Sequence, residues 1–138
     1  MKVFLDTNVI ASVTATRGLC SDLFRTAIEF HKLVVSEHLF GELRRVLADK
    51  FGASPDVIKD VIWLLQQDTI LAEALPLSDI PLKDTADVAI VSSAINGGAD
   101  ILVTGDKEIL ELKHVGELQI LTPRQFWDGE RGQHTVAE

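Results

Sequence analysis

Short apolar runs alternate with stretches of helical periodicity along most of the chain. Apolar runs predict buried strands at residues 2–5, 32–35, 101–104 and 118–121, and the segment ILAEAL at 70–75 predicts a further strand. Between these runs the apolar residues recur at the three- and four-residue spacing that is typical of amphipathic helices.

Helix start and stop signals divide the intervals between the strands. Ser36, Pro55, Asp84 or Thr85, and Asp106 are residues that begin helices, and Gly97-Gly98 is a pair that ends one. Helices are therefore predicted at 19–31, from Ser36 to about 50, from Pro55 to about 65, from Asp84 or Thr85 to about 96, and from Asp106 through Leu110.

Strands that alternate with helices indicate parallel strands joined by helical crossovers, so the predicted fold class is α/β with helices on both faces of the sheet. In such sheets ligands bind beyond the carboxyl ends of the strands. Residues 1–127 form the predicted domain. Residues 128–138 are polar, and we expect them to be a frayed tail.

Composition narrows the class of protein. A chain of 138 residues with 46% apolar residues is one domain with a real core. No apolar run approaches the roughly 20 residues that cross a bilayer, and Asp6 interrupts the first run too early for a signal peptide. We therefore expect a cytoplasmic protein that does not bind a membrane. Cys20 is the single cysteine, so an internal disulfide is excluded.

Four acids stand where chemistry is expected. Asp6 directly follows the first strand, and Asp106 follows the fourth strand after one residue. Asp87 opens the helix before that strand, and Glu42 borders the apolar stripe of its helix. Each acid also has a structural interpretation. Asp6 and Asp106 are suited to helix caps, Asp87 to the third position of a capping arrangement that Asp84 begins, and Glu42 to a solvated helix face.

Several ionised acids in one crevice repel one another, by about 4 kcal/mol for a pair 4 Å apart at a dielectric constant near 20. A divalent cation offsets this repulsion. The four histidines are scattered without ligand spacing, so all-oxygen ligation indicates Mg²⁺ or Mn²⁺ rather than Zn²⁺. The net charge of −8 argues against a protein that coats nucleic acid, but a metal-binding nuclease remains compatible with it.

Three ordered motifs resemble the PIN domain family, in particular the VapC-type ribonucleases that are toxins of toxin–antitoxin pairs. The first strand is followed by D-T-N at residues 6–8, and the second by S-x-x-L-x-x-E-L at 36–43. A helix beginning D-x-x-I at Asp87 is followed by G-G-A-D at 97–100 and by T-G-D at 104–106. The resemblance covers about residues 1–127.

The resemblance implies a three-layer α/β/α domain with five parallel strands. It implies a metal-dependent endoribonuclease whose cleavage leaves a 5′-phosphate and a 3′-hydroxyl. The acids that bind Mg²⁺ or Mn²⁺ are Asp6, Glu42, Asp87 and Asp106. Asn8 and Thr104 match the polar positions that support the site. Asp87 matches the third acid, and Asp84, about one helical turn earlier, is the alternative residue that would share or replace its role. Val88 departs from the polar residue found there in many relatives. The implied partners are RNA, a small antitoxin and a second copy in a homodimer.

Candidate substrate contacts are few. Arg44, Arg45, Lys83 and Lys107 are able to contact phosphates or to remain solvated. Trp63 and Trp127 lie in apolar helical patterns, so core packing is favoured over stacking on bases.

Three other functions match parts of the sequence. An aspartyl-phosphate phosphatase needs a second Asp two residues after Asp6, where Asn8 stands, and a receiver domain needs an acid pair that residues 1–8 lack. A catalytically silent PIN-like module that binds RNA or protein is the main alternative, and the presence of all four acids argues against it.

Overall fold

The computed structural model describes the backbone of residues 1–15 and 19–137 and the side chains of residues 1–13 and 21–130. The side chain of Cys20 and the side chains of residues 131–138 in the predicted tail lie outside the described residues. No helix in the described part of the chain is long and apolar enough to span a membrane.

Strands and helices alternate, as the sequence predicted, and two further helices, at Thr7–Ala15 and Pro123–Ala137, were not predicted. The strands are β1 (Lys2–Leu5), β2 (Lys32–Ser36), β3 (Ile70–Ala72), β4 (Ile101–Val103), β5 (His114–Val115) and β6 (Leu118–Leu121). The helices are α1 (Thr7–Ala15), α2 (Leu19–Phe30), α3 (Glu37–Asp49), α4 (Pro55–Leu65), α5 (Thr85–Asn96), α6 (Lys107–Leu110) and α7 (Pro123–Ala137).

The predicted helix boundaries are confirmed by hydrogen bonds at their ends. The Ser36 hydroxyl accepts from the Leu39 amide at 3.2 Å, and Asp84, rather than Thr85, caps α5 by accepting from the Ala86 amide at 2.8 Å. At the other end of α5, a Cβ on Gly97 would overlap Val34 on β2. The end of α5 therefore packs directly on the sheet, as only glycine permits.

The sheet has the strand order β3-β2-β1-β4-β6-β5. All neighbours are parallel except β5 and β6, which pair in an antiparallel hairpin. The expected five parallel strands are present, and β5 is an additional strand that was not predicted. It has only two residues and lies at an edge, so its apolar pattern is too short to detect.

The chain reverses its direction across the sheet at β1. From β1 it moves to β2 and β3 on one side, and it returns through α5 to β4 and β6 on the other side. Crossovers between parallel strands are right-handed, so the helices after β1 and after β3 cover opposite faces of the sheet. The carboxyl ends of β1 and β4 border the crevice where such folds bind ligands.

A continuous apolar core joins the central strands to the helices on both faces. Val3, Phe4 and Leu5 of β1 are at most 1% exposed, and Leu102 and Val103 of β4 are fully buried. Strands that are buried on both faces have continuous apolar runs rather than alternating ones. This burial holds the last residues of β1 and β4 in place, and therefore the polar residues that follow them.

Two expectations about local structure are wrong. Residues 128–130 are not a frayed tail, because α7 continues past residue 127 and Glu130 is buried against His31. Trp63 is not a core residue, since 61% of it is exposed. Helix α4 buries Ile62 and Leu65 instead. The helix is apolar on several sides, so periodicity alone did not identify its buried face.

Candidate active site

Asp6 lies at the carboxyl end of β1, beside the end of β4. Its amide donates to the Val103 carbonyl at 2.9 Å, which continues the parallel ladder by one residue. Its side chain is 7% exposed. Its Oδ1 accepts from the Thr7 amide at 2.7 Å, and its Oδ2 accepts from the Thr104 hydroxyl at 2.6 Å. The carboxylate is therefore held in one orientation.

Thr104 links the ends of the two central strands. It is fully buried, donates its hydroxyl proton to Asp6, and accepts from the Asp106 amide at 3.0 Å. The Oδ1 of Asp106 in turn accepts from the Glu108 and Ile109 amides at 2.9 and 3.2 Å. Asp106 thus caps α6, as one interpretation of the sequence expected, and the same cap fixes its carboxylate beside Asp6.

Glu42 reaches the same place from α3. Its Oε1 accepts from the Thr7 hydroxyl at 3.0 Å and lies 3.6 Å from the Nε2 of His38. Thr7 therefore connects two acids, since its amide binds Asp6 and its hydroxyl binds Glu42. The side chain of Glu42 is 20% exposed, consistent with a position at the border of the apolar stripe.

Asp87, half-buried in the first turn of α5, completes the group. Burial, followed by the charges of Asp106, Asp84, Asp6 and Glu108, raises its pKa to about 6. Asp84 is more exposed and its Oδ1 caps α5, so it acts on Asp87 through its charge.

Electrostatic repulsion shows that these acids share one site. Burial raises the pKa of Asp6, and the charges of Glu42 and Asp106 raise it further, against the opposing hydrogen bonds from Thr104 and Thr7. We name Asp6, Glu42, Asp87 and Asp106 the acid cluster. Within the described side chains, no Lys or Arg forms an ion pair with it.

The donor set of the acid cluster fits a hard divalent cation. Its atoms are carboxylate oxygens that repel one another, which is the condition a cation relieves. Among the described residues, no three acidic, histidine or cysteine side chains converge closely enough to hold a metal ion. Mg²⁺ commonly binds through one or two carboxylates and keeps several waters, so this looser arrangement is compatible with it.

Several residues in and near the site were not predicted. Thr7 lies in the D-T-N motif without a predicted role, His38 was expected to be one of four scattered histidines without ligand spacing, and Glu108 had no predicted role. The i,i+4 spacing of His38 and Glu42 was a signal that could have linked them. Asn8, expected to support the site, is exposed in α1. Arg44, Arg45, Lys83 and Lys107 are exposed as well.

Comparison with known proteins places this geometry in a family. The family model described as PIN domain matches residues 2–108, which include the whole acid cluster. No curated protein matches the chain.

Two solved structures share the fold. The crystal structure of VapBC2 from Rickettsia felis, bound to a DNA fragment from their promoter, has a TM-score of 0.59 and 14% identity. That alignment covers 88% of this chain and 98% of the other. VapBC-1 from nontypeable Haemophilus influenzae has a TM-score of 0.56 and 19% identity, over 90% of this chain and 99% of the other.

Proposed function

This chain belongs to the PIN domain family, and we propose that it is a metal-dependent endoribonuclease with the acid cluster as its active site. Members of the family are typically nucleases and generally use divalent metal ions. The observation that carries the proposal is the meeting of four acids, from four separate segments, at the carboxyl ends of β1 and β4. Their mutual repulsion costs stability, so a structural role alone does not account for the cluster.

The proposed reaction is hydrolysis of a phosphodiester by water. A divalent cation, when bound by the acid cluster, supplies positive charge that polarises the phosphate and lowers the pKa of water. Asp6, held by Thr104 and Thr7, presents a fixed carboxylate. Glu42 or Asp87 orients the water and accepts its proton as the water oxygen attacks phosphorus. The bond to the 3′-oxygen breaks, and that oxygen takes a proton from solvent, leaving a 3′-hydroxyl and a 5′-phosphate.

Asp87 has the property that a proton acceptor needs in this reaction. Its pKa of about 6 lies closer to neutral pH than that of an ordinary carboxylate. General bases work best when their pKa is near the working pH. This pKa is that of the metal-free cluster, and burial, its largest cause, does not depend on the neighbouring charges that a bound cation would offset.

A chelation experiment tests the proposed function. Purified protein is incubated with a structured RNA in Mg²⁺, in Mn²⁺ and in excess EDTA. Cleavage is expected with either metal and not with EDTA, and cleavage should return when metal is added back. The Asp6→Asn variant, purified in parallel, controls for contaminating nuclease. Cleavage in EDTA that the wild type shows and Asp6→Asn lacks would refute the metal requirement, and no cleavage by the wild type under any condition would refute the nuclease. RNA binding without cleavage would favour the silent binding module instead.

We also propose that the protein is the toxin of a toxin–antitoxin pair. Both structural neighbours are VapBC proteins. The net charge of −8 opposes encounter with RNA but attracts a basic partner segment, from which an Arg or Lys could enter the acid cluster. Induced expression in a bacterial host should arrest growth, and Asp6→Asn should not. Harmless expression of folded, metal-loaded protein would refute the toxin role and leave a housekeeping nuclease.

A homodimer belongs to the same proposal. Helix α4 exposes Val57, Trp63 and Leu64 to solvent in the monomer. Exposed apolar side chains on one helix are typical of an interface between proteins. Light scattering should give about twice the monomer mass, and a monomer at all concentrations would refute the dimer.

A further inference from the structure

His38 lies one turn before Glu42 on α3 and faces it. The His38 Nε2 atom is 3.6 Å from the Glu42 Oε1 atom. The same nitrogen is buried and has no hydrogen-bond partner among the described residues. Buried polar atoms in folded proteins nearly always have a hydrogen-bond partner, and here the Glu42 carboxylate lies within ion-pair distance but beyond hydrogen-bond length. A ligand held between the two atoms would satisfy both.

The two side chains are held in this arrangement by the surrounding structure. Ser36 caps α3 through the Leu39 amide, which orders the turn that carries His38. The Thr7 hydroxyl donates to the Glu42 Oε1 at 3.0 Å. The side chains of His38 and Glu42 are only 26% and 20% exposed. Both ligand atoms are thus largely ordered before any ligand binds.

The separation of the two atoms exceeds a direct hydrogen bond and is close to the spacing of two ligands on one metal ion. A hydrogen bond between nitrogen and oxygen is ordinarily about 2.7–3.2 Å long, so 3.6 Å is too far. Two ligands, each about 2.1 Å from one ion, are about 3.0 Å apart at an octahedral angle and about 3.4 Å apart at a tetrahedral angle, so a small side-chain rotation places both atoms on one ion. A neutral imidazole has one nitrogen without a proton that is available to a metal.

We propose that His38 and Glu42 together bind a first-row transition-metal ion, with the Nε2 of His38 as a nitrogen ligand at the edge of the acid cluster. Water and substrate oxygens complete its coordination, because no third described side chain converges on it. The inference deepens the proposed function, on which it rests for the presence of a cation beside Glu42.

The inference changes the expected metal. Imidazole nitrogen favours transition metals, whereas Mg²⁺ prefers oxygen ligands. A site with one imidazole should therefore bind Ni²⁺ or Co²⁺ more tightly than Mn²⁺, and all three more tightly than Mg²⁺. The all-oxygen site expected from the sequence did not include His38.

The test measures metal binding directly on the full chain without a histidine tag. Calorimetric titration with Ni²⁺ and with Mg²⁺ is carried out on the wild type, on His38→Gln and on His114→Gln. His114 is an exposed histidine on β5, away from the acid cluster, and is the matched control. We expect His38→Gln to weaken Ni²⁺ binding at least about tenfold, with a much smaller loss for Mg²⁺. His114→Gln should bind both metals as the wild type does.

A second measurement does not depend on any variant folding. Pulsed electron paramagnetic resonance of Mn²⁺ bound to the wild type should show modulation from a directly coordinated ¹⁴N nucleus. Absence of that modulation, or equal Ni²⁺ affinity in the wild type and in folded His38→Gln, would overturn the inference.

The two proposals fail in different ways. If RNA cleavage requires Mg²⁺ and the ¹⁴N signal is absent, the nuclease proposal survives and the histidine ligand does not. If Ni²⁺ binding depends on His38 but no RNA is cleaved with any metal, the metal site survives and the nuclease proposal does not.

Discussion

Acidic residues have opposite surroundings at the two ends of the sheet. At the amino ends of the strands, acids face partners. The carboxylate of Asp68, just before β3, pairs with Lys32 at the start of β2, and this contact lowers the pKa of Asp68. Asp100 accepts from the Lys2 amide at 2.8 Å, and Glu130 lies 2.8 Å from the His31 ring.

At the carboxyl ends, acids face other acids. The pKa of Asp6 and the pKa of Asp87 are raised, each by burial and by neighbouring carboxylates. The pKa of an Asp side chain is thus lowered at one end of the sheet and raised at the other. Pairing at the amino end serves the fold, whereas crowding at the carboxyl end works against it. Crowded acids are typical of functional sites, because their charge is a cost that a ligand relieves.

The largest expected effect is on RNA cleavage, when one carboxylate charge is removed from the acid cluster at the carboxyl ends of the strands. Asp6→Asn should reduce RNA cleavage by more than about 100-fold, since even indirect partners of metal ligands cost up to about 100-fold. Its melting temperature should stay the same or rise, because a repulsive charge is lost. Glu42→Gln, Asp87→Asn and Asp106→Asn should behave similarly. Asn also caps helices well, so Asp106→Asn should keep the cap of α6 while removing the carboxylate charge, and a loss of cleavage would then be due to the charge. Wild-type cleavage by all four variants would disprove the acid cluster as active site.

Thr104→Val tests whether the cluster depends on its buried support. The variant leaves the Asp6 Oδ2 without its 2.6 Å donor. The expected cost is about 1–3 kcal/mol of stability, because a buried acceptor loses its partner, and about 10- to 100-fold in cleavage rate. Thr69→Val, which removes a 2.8 Å bond to the Leu65 carbonyl near the amino end, is the control and should leave cleavage unchanged. Equal cleavage by both variants would contradict the role of Thr104.

Glu130→Gln removes the charge that contacts His31 near the amino ends of the strands, and it should affect stability but not cleavage. Glu130 is 5% exposed and contacts the buried ring of His31. Loss of its charge should destabilise the protein by about 1–3 kcal/mol, measured by urea unfolding. Cleavage at a temperature where the variant is fully folded should match the wild type. A selective loss of cleavage would mean that α7 communicates with the acid cluster.

The smallest expected effect is a pH-dependent change in melting temperature, which compares the crowded acid Asp87 with the paired acid Asp68. A raised pKa means that folded protein binds the Asp87 proton more tightly than the unfolded chain does. The stabilising contribution of the protonated form is complete below the unfolded pKa of 3.8 and is lost as pH rises through about 6. Asp87→Asn should therefore raise the melting temperature of metal-free protein at pH 7.5 by a few degrees and change it little at pH 4.

Asp68→Asn is the control of opposite sign. The pKa of Asp68 is lowered, so its contribution is present at neutral pH and lost in acid. Because Asp68 is fully exposed, its substitution should give a decrease at pH 7.5 close to the error of a thermal scan. Identical pH profiles for Asp87→Asn and the wild type would show that Asp87 is not under electrostatic strain.

Local sequence signals determined most of the fold and half of the site. Strands buried on both faces have continuous apolar runs, and Ser36, Pro55 and Gly97 act on their own helix ends, so these elements were predictable. Asp6 and Asp106 directly follow strands, and their placement at one edge of the sheet follows from parallel strand order. Such features depend on residues a few positions apart, which a single sequence displays.

Tertiary structure alone decided the rest. The contacts between Thr7 and Glu42, and between Thr104 and Asp6, join residues 35 and 98 positions apart, and no local pattern encodes such pairs. The exposure of Trp63 and the burial of Glu130 depend on which helices pack beside them. The pKa shifts of Asp6 and Asp87 likewise arise from burial and from charges on other elements. Packing and Coulomb energy depend on distance in space, and distance in space is fixed only when the whole chain has folded.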